Sequence, residues 1–364
     1  MLSTRLIGPT LATLLAVAGA SVAAGELTRG TPDLRTAGPL AFGPDGILFI
    51  GDPVQGAVYA VDTGDRVSEP IGPGFYRSDI DQQVNALLDE GARLFRFNDL
   101  AVNPASGKAY LSFDVGKVRE STPYIVRVDR AGKVEVVTLR DVRFAKVTLR
   151  SPFANQFLRP GPNFEGLSVT EMAFVGGRLY VAGLSGEPVA SRIVTIPYPF
   201  PAVADPGTSV EVFHSGLGES STTLPIFCLA PCELKGEPCF LAVYTQTPLV
   251  KIPIAALKPG ASVRATTLAD LGNRNAPHDM LAYRAGGKEF LLVTNTRQGM
   301  MKIGRDWLED APAIETRLVG PAGLVYESIP KLRGISLMDR VDDGHALVVG
   351  NKSRGFDLFV LPLP

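Results

Sequence analysis

One plan recurs six times along this chain, and it limits the fold more than any other feature of the sequence. A short apolar run is followed by a Gly-containing turn, a second apolar run, a polar loop and a third alternating run. The six segments are Gly38 to Asp62, Asn98 to Asp129, Thr170 to Pro197, Pro225 to Pro253, His278 to Gly304 and Arg333 to Leu363. Runs of four to seven residues rich in Val, Ile, Leu, Phe and Tyr, broken by Gly and Pro, read as strands. The tight turns GPDG, ASGK, VGGR, AGGK and DDGH join antiparallel neighbours. A fourth run follows most triplets, at Val134 (VEVVTL), Ser209 (SVEVFH), Ser262 (SVRATTL) and Ile314 (IETRLV). A lone four-stranded sheet cannot bury both faces, whereas sheets stacked around an axis can.

The expected fold is therefore all-β: a six-bladed β-propeller of four-stranded antiparallel blades. The blades fall near residues 38–71, 98–140, 170–214, 225–269, 278–319 and 333–363. The last segment ends at the chain terminus without a fourth run. A strand in 25–36 is expected to supply it and close the ring, removing two open edges. An alternative places a seventh blade in Arg140 to Leu167, a long segment with four arginines and several prolines. Asp79 to Glu90 has helical spacing at Ile80, Val84 and Leu87-Leu88. Ala255 to Leu257 reads as a helical turn, and RDWLED, which holds Trp307, as a short helix.

Residues 1–24 read as a secretory signal. Arg5 gives a positive start, Leu6 to Ala18 an apolar core, and Ser21-Val22-Ala23 or Val22-Ala23-Ala24 a cleavage site. The alternative is an uncleaved anchor, but the apolar stretch is short for a membrane span and is broken by Gly8-Pro9. A single propeller domain over 25–364, secreted or periplasmic, without a membrane span after cleavage and monomeric, is the expectation. Hydrophobic residues make up 45% and charged residues 20%, with a net charge of −1 and no basic run, which argues against nucleic acid as a partner. The expected partner is a small molecule or an extracytoplasmic protein.

The chain has three cysteines. Cys232 and Cys239 flank the turn-like ELKGEP and are candidates for a disulfide across a hairpin, since exported proteins meet oxidising conditions. Cys228 would then be a buried free thiol.

In a propeller the innermost strands line a central channel, and the residues before each one stand at its mouth. Those positions are Ala37-Gly38-Pro39, Asn98-Asp99, Thr170-Glu171, Pro225-Ile226, His278-Asp279 and Gly334-Ile335. Three of them bring a carboxylate: Asp99, Glu171 and Asp279. Crowded carboxylates need a cation or a shared proton. Asp99, Glu171, His278 and Asp279 are the candidate catalytic groups, through a raised carboxyl pKa or an imidazole base. Asn98, Glu171 and Asp279 are the candidate metal ligands, for Ca²⁺ or another divalent cation. Each Asp or Asn could equally cap a turn through backbone hydrogen bonds. The loops after the second strands open on the same side, with Asp52, Asp114, Gln246, Asn295 to Arg297 and Lys352 to Arg354. Asn98, Thr170, Asn295, Arg297 and Arg354 are the candidate ligand-binding residues. His214 and His345 read as structural.

The first blade, AGPLAFGPDGILFIGDPVQGAVYAVD, resembles the opening of gluconolactonase (regucalcin-like) and NHL-type propellers. FNDLAVNPASGKAYLSF is similar to the Asn-Asp-Gly-type blade of the same superfamily and of paraoxonase-like lactonases. That resemblance implies six blades and a divalent cation held by a Glu, two Asn and an Asp. Here the Glu position is Ala37. One Asn matches as Asn98, the other falls on Thr170 beside Glu171, and the Asp falls on His278 beside Asp279. A cation site would have to be rebuilt around Glu171 and Asp279. Two functions follow: a binding protein with its site at the channel mouth, or a lactonase-like hydrolase or lyase acting on a small sugar-derived or lactone substrate.

Overall fold

A computed structural model of the chain describes residues 25–88, 96–116, 121–151, 166–187, 189–201, 203–245, 248–272, 275–318, 320–323 and 325–364. The expected signal segment, 1–24, lies outside the described residues. So does Gln246.

Six antiparallel sheets form the six blades of a propeller. Their innermost strands are Leu40–Phe42, Asp99–Val102, Glu171–Val175, Ile226–Leu234, Pro277–Ala285 and Ile335–Asp342. Numbered in this chain order, each blade adds the second and third strands that the repeats foretell.

Side-chain alternation explains why the blades stack. In the second strand of blade 2, Ala109–Val115, the residues Ala109, Leu111 and Phe113 face blade 6, while Tyr110 faces blade 1. In blade 1, Phe49 packs towards blade 3, and Leu48 and Ile50 towards blade 2. Both faces of a blade are thus apolar, and the six main hydrophobic clusters each fill one interface between neighbouring blades. Truncating one fully buried wedge such as Phe49 would cost about 3–5 kcal/mol.

Those interfaces, and the contacts between inner strands, give a ring order that is not the chain order: 1, 2, 6, 5, 4, 3 and back to 1. Blade 2 sits between blades 1 and 6. Two fourth strands are displaced to match. Val142–Thr148 follows blade 2 in sequence but pairs with Ala57–Asp62 as the fourth strand of blade 1. Tyr76–Arg77 follows blade 1 but pairs with Gly355–Pro362 as the fourth strand of blade 6.

This corrects two expectations. The ring is not closed by the N-terminal strand: Thr28–Gly30 instead lies outside Val142–Thr148, as a fifth strand of blade 1. The last blade is completed by Tyr76–Arg77. The stretch Arg140 to Leu167 holds no seventh blade among its described residues; its strand completes blade 1. The physical reason is shared: with blade 2 placed between blades 1 and 6, both seams need a strand from the intervening chain to satisfy their outer edges. Asp357 secures the second seam by accepting hydrogen bonds from Tyr76 Oη at 2.6 Å and Asp79 N at 3.0 Å.

Of the other fourth strands, Val134–Val136 and Thr208–His214 stand where expected. SVRATTL divides. Ser262–Arg264 runs parallel to the outer strand of blade 3, and Thr266–Asp270 completes blade 4. Blade 5 is completed by Glu327–Ile329 and not by the residues from Ile314. Short helices form at Ile80–Asn85 and Arg305–Asp310, with a 3-10 turn at Ile254–Ala256.

Candidate functional site

The inner strands of all six blades line a central cavity of about 370 Å³. Four carboxyl groups stand in its wall: Asp99, Glu171, Asp279 and Asp339. The first three share one level near the mouth, as the sequence predicts. Asp339 lies two residues deeper on its strand, and reading only the start of each inner run misses it. Its signal was the single acid interrupting ISLMDRV.

Three of these acids are stitched into the backbone by one rule. Each carboxylate takes the N–H of the next residue and an N–H from the adjoining blade. Asp279 takes Met280 N and Met338 N, both at 2.6 Å. Asp339 takes Arg340 N and Val102 N, both at 2.7 Å. Asp99 takes Leu100 N at 2.8 Å and Leu40 N at 2.6 Å. The stitches run through blades 5, 6, 2 and 1 in ring order, across both seams. Glu171 differs: one oxygen accepts Met172 N at 2.8 Å, and the other has no hydrogen-bond partner among the described residues.

Burial raises all four pKa values, because little water reaches the channel wall to solvate the charge. Asp99 is pushed up to about 7, by burial against the pull of its two N–H partners and with help from the charge of Asp339. Asp339 rises to about 6 by burial. Glu171 is held well above the usual carboxyl range by burial and by the charges of Asp99 and Asp279. Asp279 is held high by burial and by Asp99. Near neutral pH Asp99, at about 7, is therefore partly protonated, while Asp339, at about 6, has mostly lost its proton.

At the mouth the six blades are of two kinds. In blades 1, 2 and 3 the inner strand starts in regular register. In blades 4, 5 and 6 the register shifts by one residue at the same place, between Ile226 and Cys228, Pro277 and Asp279, and Ile335 and Leu337. The residue before each of these strands accepts a bond from the end of the second strand or the residue after it: Pro225 O from Thr245 N, Ala276 O from Thr296 N and Gly334 O from Asn351 N. These bulges leave Phe227, His278 and Ser336 outside the ladder near the first residues of the three inner strands; the cavity wall itself begins further along, at Leu229, Asp279 and Met338. Phe227 is 40% exposed although it is a large apolar residue. His278 is exposed, and the protein mass around it lowers its pKa. Ser336 Oγ donates to Asn351 Oδ1 at 3.0 Å. Phe227 and Ser336 are absent from the sequence-derived site, since a bulge leaves no compositional mark.

The polar residues expected on the other side of the mouth are committed elsewhere. Asn98 Nδ2 donates to Ala37 O at 2.9 Å and to Asp114 at 2.8 Å. Asp114 also accepts Ala37 N at 3.0 Å, and burial raises its pKa to about 6. Thr170 Oγ1 donates to Ile226 O at 2.6 Å. Buried Asp52 accepts Arg35 N, Thr36 Oγ1, Val54 N and Gln55 N. Asn98 and Thr170 thus bind protein and do not face the cavity. Asn295 is buried and accepts Arg297 N and Gln298 N. Arg297 and Arg354 are exposed.

As metal ligands, Asn98, Glu171 and Asp279 are not brought together: Asn98 belongs to the Ala37–Asp114 network, while the two acids face the channel. Among the described residues no group of three or more His, Cys, Asp or Glu side chains is arranged to hold a metal. Cys228 is buried as expected, and Cys232 and Cys239 are free thiols facing one another. His345 pairs with Asp342 in its turn at the far end, and His214 is buried at the end of its strand.

No family model and no curated protein matches the sequence. Solved structures that it resembles include a glucose dehydrogenase-type oxidoreductase from Thermus thermophilus, at 14% identity over 93% of this chain and 100% of that one, with a TM-score of 0.37. A PQQ-bound aldose sugar dehydrogenase from Streptomyces coelicolor matches at 14% identity over 93% and 98% of the two chains, with a TM-score of 0.35. A streptogramin B lyase matches at 10% identity over 93% and 97%, with a TM-score of 0.32. At these values the likeness carries no argument about activity.

Proposed function

We propose that the protein, exported and freed of its leader, binds a small polar molecule at the mouth of the central channel. The observation that carries this reading is the bulge repeated in three adjoining blades. A bulge re-aims side chains and interrupts pairing. Here it leaves an aromatic ring, an imidazole and a hydroxyl unpaired near the starts of three adjoining inner strands, whose later residues line a carboxyl-bearing cavity of a size usual for small ligands. Phe227 offers an apolar surface to a ring or chain of carbon atoms. His278 and the channel acids offer donors and acceptors for hydroxyl or amino groups. The test is a thermal-shift screen of sugars, lactones, polyols and amines, followed by calorimetry on Phe227→Ala and His278→Ala. Compounds that bind both variants as tightly as the parent would move the site away from the rim.

A second reading is favoured by Glu171 alone. Among the described residues it is the one channel acid with an oxygen free of backbone bonds, and burial with the charges of Asp99 and Asp279 raises its pKa, the direction a general acid requires. On that reading the chain is a hydrolase or lyase of a small lactone or sugar-derived substrate. Turnover in a lactone and ester screen that Glu171→Gln abolishes would support it. Turnover unchanged in Glu171→Gln would dismiss it.

A further inference from the structure

We propose that Cys232 and Cys239 are a dithiol pair closed to a disulfide by thiol–disulfide exchange with a small disulfide-bearing oxidant. Cys232 is the sulfur that meets the oxidant, and Cys239 the one that resolves it. Neither residue belongs to the channel mouth.

Three observations carry it. The two residues are direct partners in the hairpin formed by Ile226–Leu234 and Glu237–Tyr244. Their sulfurs lie 2.8 Å apart, so closing the bond needs little movement of the hairpin. Their access differs. Cys232 is half-buried and lines a cavity of about 500 Å³ between blades 4, 5 and 6, at the end of the channel opposite the mouth. Cys239 is fully buried behind it. The third thiol, Cys228, is buried in the interface between blades 4 and 5, where an oxidant cannot reach it.

The cavity suits a small anionic peptide disulfide of the glutathione type. Its floor is apolar, with Leu234, Leu241, Leu291 and Leu308. Its wall is charge-balanced, with Glu233, Glu289 and Asp343 beside Arg284, Arg305 and Arg340; of the three arginines Arg340 has no ion-pair partner among the described residues and can meet a carboxylate. In the first step the Cys232 thiolate attacks one sulfur of the oxidant, whose S–S bond breaks and whose other sulfur leaves as a thiol. In the second step the Cys239 thiolate attacks Cys232 in the mixed disulfide, and the second thiol leaves. Two cysteine thiols lose two electrons, the oxidant gains them, and both protons end on the released thiols. The Cys232 thiol donates to Cys239, and that bond together with burial raises the pKa of Cys232, so Cys232 loses its proton to solvent before it attacks and the bond no longer exists when Cys239 does.

The test incubates the reduced full-length protein with oxidised glutathione and maps its cysteines by alkylation and mass spectrometry. The expected result is a Cys232–Cys239 cross-linked peptide, with Cys228 alkylated only after unfolding. Cys239→Ser should stop at a glutathione adduct on Cys232. If that variant does not fold, the cross-linked peptide of the parent protein decides alone. Three reduced cysteines after incubation, or an adduct on Cys228 in the folded protein, overturns the proposal.

Discussion

The channel mouth has two unlike arcs. In blades 2, 1 and 3 the strands start in register, and the polar side chains beside them are consumed by backbone: Asn98 on Ala37, Asp114 on Ala37, Thr170 on Ile226 and Asp52 on the turn after it. In blades 4, 5 and 6 the strands start with a bulge, and Phe227 and His278 are left exposed. Residues at the two arcs of one mouth therefore differ in use. The first arc holds the ring together, and the second has side chains to spare. A polar residue at a propeller mouth is informative only once its backbone partners are known.

The largest effect that would test this contrast is expected at Asp65, under the first arc. It is buried between blades 1 and 2 and bonds Ser106 Oγ and Tyr110 Oη, each at 2.9 Å, and Lys108 at 3.1 Å. Burial alone would raise its pKa, but these partners outweigh it and the value is lowered. Asp65→Ala leaves Lys108 without its buried counter-charge and should cost about 3–5 kcal/mol in urea unfolding. A loss below about 1 kcal/mol would show that the far end of the blade 1–blade 2 interface, beneath this arc, is not held by its polar groups.

Next in size is the response to pH. The channel acids bind protons more tightly when folded than in the unfolded chain, where Asp and Glu titrate near 4. Between about pH 4 and the folded value of about 7 for Asp99, the folded state keeps protons that the unfolded state has lost. Stability should therefore fall as pH rises through this window, by roughly 2 kcal/mol after allowance for water in the channel. Below about pH 4 the trend reverses, as acids with lowered pKa values such as Asp33 and Glu135 lose their partners. Urea midpoints from pH 4.5 to 7.5 would check the sign, and Asp339→Asn should flatten the slope. A rise over that range would refute the raised pKa values of the channel acids.

A matched pair of substitutions compares the arcs directly. Asn98→Ala should cost about 1–2 kcal/mol of stability and leave ligand affinity unchanged. His278→Ala and Phe227→Ala should each stay within about 0.5 kcal/mol of the parent and weaken binding by roughly tenfold. The reverse pattern, measured by calorimetry and urea unfolding together, would exchange the roles of the arcs. The smallest effect belongs to Ser336→Ala. Its hydroxyl is already engaged by Asn351, so only a two- to threefold change in affinity is expected, about 0.5 kcal/mol.

Repeats made the fold readable. The continuous apolar runs AYLSF and ILFIG fit strands buried on both faces, and the acids at the starts of inner runs fell on one cavity wall. What stayed hidden was non-local. Nothing in YR at 76 or in VRFAKVT at 142 says which blade it completes, because a strand pairs with whichever edge lies open. Asn98 could not be told from a ligand-binding residue, because its partner Asp114 pairs with it only after folding. The pairing of Asp279 with Met338 likewise means that its replacement disturbs an interface between blades as well as the site.

The displaced strands also set a timetable. Residues 76 and 77 are made early, yet their partners are Phe359 and Leu358, and the bond from Tyr76 to Asp357 spans 281 positions. Closing a loop of that length is entropically slow, and it cannot begin before nearly the whole chain exists. Blades built from local hairpins can form sooner, but this clasp shuts only when the strand Gly355–Pro362 arrives.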